Sequence, residues 1–180
     1  MNDAFRIVIS AACVLVVVIA TSPLAFASND DKEATYQLHM EGPQVAQAAN
    51  GETVSVSGSG MFSGKPKSVV ASGTFTSNSA AGRGTWVATE LLDFQPYGCG
   101  VVRGFPIPPA LCGGKLMLRV LLTNSSGQQF DGVLWVFCII GPNPPNSHDD
   151  PTGEGANLDI IGVNNFNRIV SGGNVYVKTS

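Results

Sequence analysis

Residues 53–62, TVSVSGSGMF, alternate with a period of two. Val54, Val56, Gly58, Gly60 and Phe62 fall on one face and Ser55, Ser57, Ser59 and Met61 on the other, so the segment reads as a strand with an apolar face and a hydroxyl face. Gly58 and Gly60 strip side chains from the apolar face, which marks a bulky neighbour, a second backbone or a bend. Similar runs occur at 34–40 (ATYQLHM), 68–76 (SVVASGTFT), 84–94 (GTWVATELLDF), 115–123 (KLMLRVLLT), 129–140 (QFDGVLWVFCII), 156–163 (ANLDIIGV) and 174–179 (NVYVKT). Gly42-Pro43, Asn50-Gly51, NSSG at 124–127 and the Pro-rich stretch 141–155 supply turns between them. Residues 43–49 read as a strand or a short helix. No stretch after residue 27 holds apolar residues at helical spacing between caps. About eight strands at near-regular spacing predict an all-β fold: a single antiparallel barrel, with a β-sandwich as the alternative. The paired glycines and the two-sided apolar run 129–140 favour the barrel.

Register can be argued for the hairpin 115–140. Leu116, Leu118, Val120 and Leu122 share one face of the first strand; Phe130, Leu134, Val136 and Cys138 share one face of the second. Burying both sets together requires opposed residue numbers with an even sum, because a one-residue slip turns every side chain to the other face. A turn over Asn124–Gly127 with Gly127 left-handed places Asn124 opposite Gln128 and Gly114 opposite Cys138. A bulge shifting the register by two would instead oppose Cys112 to Cys138 and Arg119 to Asp131.

The N-terminus changes the domain picture. Arg6 precedes an apolar run, Ile7–Ala20, shorter than the ~20 residues of a bilayer span, and Ala25-Phe26-Ala27 follows. Residues 1–27 read as a secretory signal peptide, 28–33 as a disordered leader and 34–180 as a single β domain. Cys13 leaves with the signal. The whole chain carries a formal net charge of −3, which signal removal leaves unchanged because Asp3 and Arg6 cancel. With no Lys/Arg cluster, nucleic acid is excluded as a partner, and no membrane span is expected after signal removal.

Export makes the cysteines an oxidation problem. Hairpin register carries Cys112 beside Cys138, so that pair is the expected disulfide. Cys99 with Cys112 is the alternative, a closure worth about 3 kcal/mol in the chain-entropy model, and Cys99 with Cys138 is a third possibility. The remaining thiol has no histidine beside it and reads as inert.

Candidate chemistry is sparse. Glu90 alternates with Trp86, Ala88, Leu92 and Phe94, which points it inward, and Arg119 or Arg83 could pair with it. Glu90 and Arg119 are the candidate catalytic residues, an acid or base in an interior cavity, although a structural or exposed ion pair is the simpler reading. His148, Asp149, Asp150 and Glu154 gather in one loop without a ligand spacing that defines a metal site, so no metal and no cofactor are expected. Asn124-Ser125-Ser126 forms an N-glycosylation acceptor at a hairpin tip, relevant in a glycosylating host. Trp86, Trp135, Phe94 and Tyr97 fit core positions, or a ligand surface.

Through GTWVATELLDFQPYGCG and the stretch from Cys112 to Pro145, the chain resembles small secreted β-rich proteins of uncharacterised function. That resemblance implies export and a β fold and brings no catalytic residue. In architecture alone, the strand count resembles calycin-like and dirigent-like barrels. Two functions fit: a secreted (extracellular or periplasmic) non-catalytic domain, structural or binding an apolar small molecule or cell-surface material, or a cyclase- or isomerase-type barrel enzyme acting on an apolar substrate.

Overall fold

A computed structural model describes residues 33–142 and 153–179 of the chain. The signal segment 1–27 and residues 28–32 of the leader lie outside the described residues. In chain order the strands are β1 (Thr35–Met40), β2 (Gln44–Gln47), β3 (Thr53–Gly64), β4 (Lys67–Ser77), β5 (Arg83–Cys99), β6 (Val101–Val102), β7 (Phe105–Pro106), β8 (Leu111–Asn124), β9 (Gln129–Cys138), β10 (Gly155–Ile160), β11 (Asn164–Phe166), β12 (Arg168–Ser171) and β13 (Asn174–Lys178). The protein is all-β. Every long run read from alternation is a strand, and the ambiguous segment 43–49 contains β2. The additional short strands, β6, β7, β11 and β12, span too few residues for a period of two to register.

Among the described residues eleven strands join in one antiparallel sheet; β6 and β7 form a separate ribbon. Along one edge β3 pairs with β4; its other edge is divided between β2, at residues 53–56, and β1, at 59–63. β8 repeats this arrangement. It pairs with β5 along one edge and, along the other, with β13 at Leu111 and Cys112 and then with β9 from Gly114 to Thr123. Following β1, β3, β4, β5, β8 and β13 through their pairings returns to β1.

The β8–β9 hairpin has the register its apolar faces require: Gly114 lies opposite Cys138 and Leu118 opposite Leu134. The alternative that opposes Arg119 to Asp131 does not occur, since Arg119 faces Val133. Gly127 takes φ 82°, and Asn124 N–H donates to the Gln128 carbonyl at 2.9 Å.

The apolar faces meet in one core. Near the β1–β13 end, Tyr36, Phe62, Phe94 and Tyr176 pack ring against ring, with centroids 4.8–5.8 Å apart. Toward the other end Trp86, Phe75, Leu122, Leu134, Leu158 and Phe166 are buried. Gly58 is bare because Trp86 occupies the space: a Cβ there would lie 2.3 Å from the indole. The indole N–H donates to the Ser57 carbonyl at 3.1 Å. Gly60 admits the Ala71 methyl in the same way.

Candidate functional site

The stretch between Cys99 and Cys112 builds a finger. Val101 pairs with Pro106 and Val102 with Phe105, leaving Arg103 and Gly104 as a two-residue turn. Both turn residues have positive φ, 48° and 82°, the combination whose twist matches a tight hairpin. Glycine takes that conformation freely, whereas Arg103 adopts it at a cost of about 1–2 kcal/mol. The base is fixed by backbone bonds from Gly100 to Leu111, from Ile107 to Gly100 and from Gly141 to Val101. Phe105 is 72% exposed and Arg103 is exposed beside it. A large aromatic and a cation are thus held in solvent on a braced loop.

A disulfide joins Cys99 to Cys112, which are directly opposed in the β5–β8 ladder. This corrects the expected Cys112–Cys138 bond and selects the alternative. Hairpin register does bring Cys138 next to Cys112, but as a diagonal neighbour, because Gly114 occupies the opposed position. The opposition of Cys99 could not be read from alternation, because β5 pairs with β8 through three irregularities, between Ala88 and Glu90, Leu91 and Asp93, and Pro96 and Gly98. Cys138 remains a buried free thiol, its S–H toward the Cys112 carbonyl at 3.5 Å. Burial, then the neighbouring Glu154 carboxylate, pushes its pKa up to about 12, which suppresses the nucleophilic thiolate.

The same irregularities relocate the candidate acid. Ala88 pairs with Val120 and Glu90 with Arg119, so Thr89 is an extra residue and the alternation reverses there. Leu91, not Leu92, becomes the buried leucine, and Glu90 points outward. Glu90 and Arg119 form an ion pair at 3.2 Å with side chains 57% and 47% exposed. The inward Glu90 is therefore overturned. A pair this wet contributes about 0–1 kcal/mol and gives no buried acid or base.

Glu154, read as part of a solvated loop, sits instead where the two divided edges meet. Its two carboxylate oxygens accept the Ile139 N–H at 3.0 Å and the Asn174 N–H at 2.7 Å. Asn174 in turn donates to the Phe137 and Gly155 carbonyls, and Gln44 donates to the Gly42 and Gly173 carbonyls. These side chains satisfy backbone groups that lose their ladder partner as β13 gives way to β9, and β1 to β2. Burial raises the Glu154 pKa, while the two N–H donors and the more distant Arg103 pull it back. Burial likewise pushes Tyr97 up to about 12 and Tyr176 well above its ordinary value; the Tyr176 hydroxyl donates to the Val136 carbonyl at 2.8 Å. The arrangement is a polar cross-link between strand ends. Its signal in the sequence was a carboxylate and an asparagine beside glycine pairs, which alternation does not register.

Asn124 lies at the β8–β9 turn, where its Oδ1 accepts from the Ser126 hydroxyl at 2.7 Å and from the Gln128 N–H at 2.9 Å. His148, Asp149 and Asp150 lie outside the described residues, and no group of three or more potential metal ligands occurs among the described residues. Trp86, Phe94 and Tyr97 are buried, and Trp135 is half-buried on the outward face of β9. Comparison with protein-family models, curated proteins and solved structures finds no match to this chain.

Proposed function

We propose that the protein is an exported, non-catalytic β-barrel domain that binds cell-surface material through the disulfide-braced finger. The circuit of pairings β1–β3–β4–β5–β8–β13 supports the barrel over the sandwich. The observation that carries the functional reading is the packed interior: Tyr36, Phe62, Phe94 and Tyr176 occupy one another's space, while Glu90 and Arg119 lie in solvent. A carrier of an apolar small molecule needs room where those rings stand, and a barrel enzyme needs its acid inside. The working surface is then outside. The Cys99–Cys112 bond fits an oxidising compartment, and no helix of the described residues is long and apolar enough to cross a membrane.

Phe105 is the anchor, because an exposed aromatic on a pre-ordered loop loses little conformational freedom when it docks. The test is retention of the purified, oxidised protein on a cell-envelope preparation from its own host. Phe105→Ala is expected to weaken retention at least about tenfold with unfolding stability unchanged, a loss of about 1.4 kcal/mol in binding. Undiminished retention of that variant would remove the finger from the reading.

A further inference from the structure

The outward face of β3, β4, β5 and β8 carries a pattern that the packed core does not require. Ser57 lies opposite Thr74, Thr74 opposite Thr85, and Thr85 opposite Thr123, which sets four hydroxyls in one row across four neighbouring strands. Each alternates with a buried core residue, Val56, Phe75, Trp86 and Leu122, so the row faces away from the core. No hydrogen bond within the described residues engages these four hydroxyls. Ser55 opposite Thr76 and Ser59 opposite Ser72 flank the row. Val87 stands opposite Ser72, and Met61 opposite Val70 lies one row further on, three apolar side chains that are 45%, 48% and 82% exposed in that order. Charge enters at the margins, with Arg83 opposite Thr76 at one end, the Glu90–Arg119 pair at the other and Asp131 opposite Leu121 on the β9 side.

We infer that this face docks a neutral polysaccharide chain; the inference rests on the surface-binding reading above and places that binding on a second surface. The chemistry of the face is that of an uncharged sugar polymer. Hydroxyls spaced about 4.8 Å across strands and about 6.8 Å along them exchange hydrogen bonds with sugar hydroxyls, and the valine and methionine side chains accept the sugar C–H surface. A polyanion would meet no cation along the hydroxyl row itself, since Arg83 stands beyond its edge opposite Thr76 and Arg119 is paired with Glu90. Size also discriminates. Four strands by four outward positions cover roughly 20 Å by 20 Å, about half of the ~800 Å² that each partner gives to a stable protein interface, whereas a chain of small repeating units needs no larger platform. Serine and threonine held on strands have little rotamer freedom left to lose.

The experiment measures retention of the oxidised protein on insoluble cellulose, chitin and β-1,3-glucan, for the natural sequence, Thr74→Lys, Ser57→Lys and Phe105→Ala. The expected result is retention on at least one of the three that persists at high salt, falls at least about tenfold in each lysine variant and is kept by Phe105→Ala. Far-ultraviolet circular dichroism and an intact disulfide check that the lysine variants, both at outward positions, remain folded. Absence of retention on all three polymers overturns the inference, as does retention that Thr74→Lys leaves intact or that high salt abolishes. A concentration-dependent dimer in light scattering that Thr74→Lys dissociates overturns it in favour of self-association. Loss through Phe105→Ala alone overturns the hydroxyl face and leaves the finger standing, whereas loss through the lysine variants alone supports the face and leaves the finger to its own test on the cell-envelope preparation.

Discussion

Glu90 and Glu154 both stand at irregularities of the same sheet, and the sheet treats them in opposite ways. At Glu90 the irregularity is a bulge on a fully paired strand, whose extra residue, Thr89, is exposed and bonds its hydroxyl to the Arg119 carbonyl at 3.3 Å. At Glu154 the irregularity is a division of strand edges, with the N–H groups of Ile139 and Asn174 turned toward the carboxylate in partly buried positions. Water can satisfy the first site and cannot reach the second as easily, so the second needs an acceptor from the protein. A carboxylate on this protein is therefore structural when it replaces missing ladder partners and incidental when it faces solvent.

That contrast can be broken by mutation. The largest effect is expected from Glu154→Ala, which leaves two inward N–H groups without acceptors and costs about 3 kcal/mol in chemical denaturation. A loss below about 1 kcal/mol would show that water or movement of the strand ends replaces the carboxylate. Removing the finger's closure by Cys99→Ala with Cys112→Ala is expected to cost a similar amount, about 3 kcal/mol, by freeing the loop in the unfolded chain.

Acidity sharpens the contrast further. Because burial raises the folded-state pKa of Glu154, the folded protein holds a proton that the unfolded chain has already released. Its contribution to stability is full below the ordinary carboxylate pKa and is lost as pH rises through the raised one. Unfolding free energy should therefore fall on leaving the acid range, and Glu154→Gln should flatten that slope. Cys138 adds an alkaline counterpart of the same sign. With its thiol at about 12 against an ordinary value of 9.0, stability declines from about pH 9 upward, at up to about 1.4 kcal/mol per pH unit, and Cys138→Ala removes that share. The Tyr97 hydroxyl, also at about 12, contributes only from its ordinary 10.0 upward. The smallest effect belongs to Glu90→Ala, expected to change stability by less than about 1 kcal/mol.

How much of this was legible in the sequence follows from the same geometry. Alternation marked β3, β4 and β9 nearly to their ends and β8 from Lys115 onward, missing Leu111–Gly114, and face matching alone set Gly114 opposite Cys138, because the β8–β9 ladder runs without an inserted residue. The role of Gly58 could be anticipated from an apolar face missing its side chains, and Trp86 fills the place. Along β5 the alternation reverses at Thr89. Each later extra residue shifts the pairing again, so the direction of Glu90, the burial of Leu91 and the opposition of Cys99 to Cys112 depend on insertions that no local pattern marks. Glu154 was illegible for another reason: its partners Ile139 and Asn174 are distant in sequence and are backbone groups, which carry no residue-type signature.

In the function proposed above, the outside of this protein, not its interior, is the working surface. Native mass spectrometry of the unreduced protein, purified from its own host, tests it most directly. The expected species is a chain beginning at Ser28, carrying the Cys99–Cys112 bond, one free thiol at Cys138 and no small molecule retained after gentle desolvation. A stoichiometric apolar molecule that survives desolvation and is released only on unfolding would place the ligand among Tyr36, Phe62, Phe94 and Tyr176, and would contradict it.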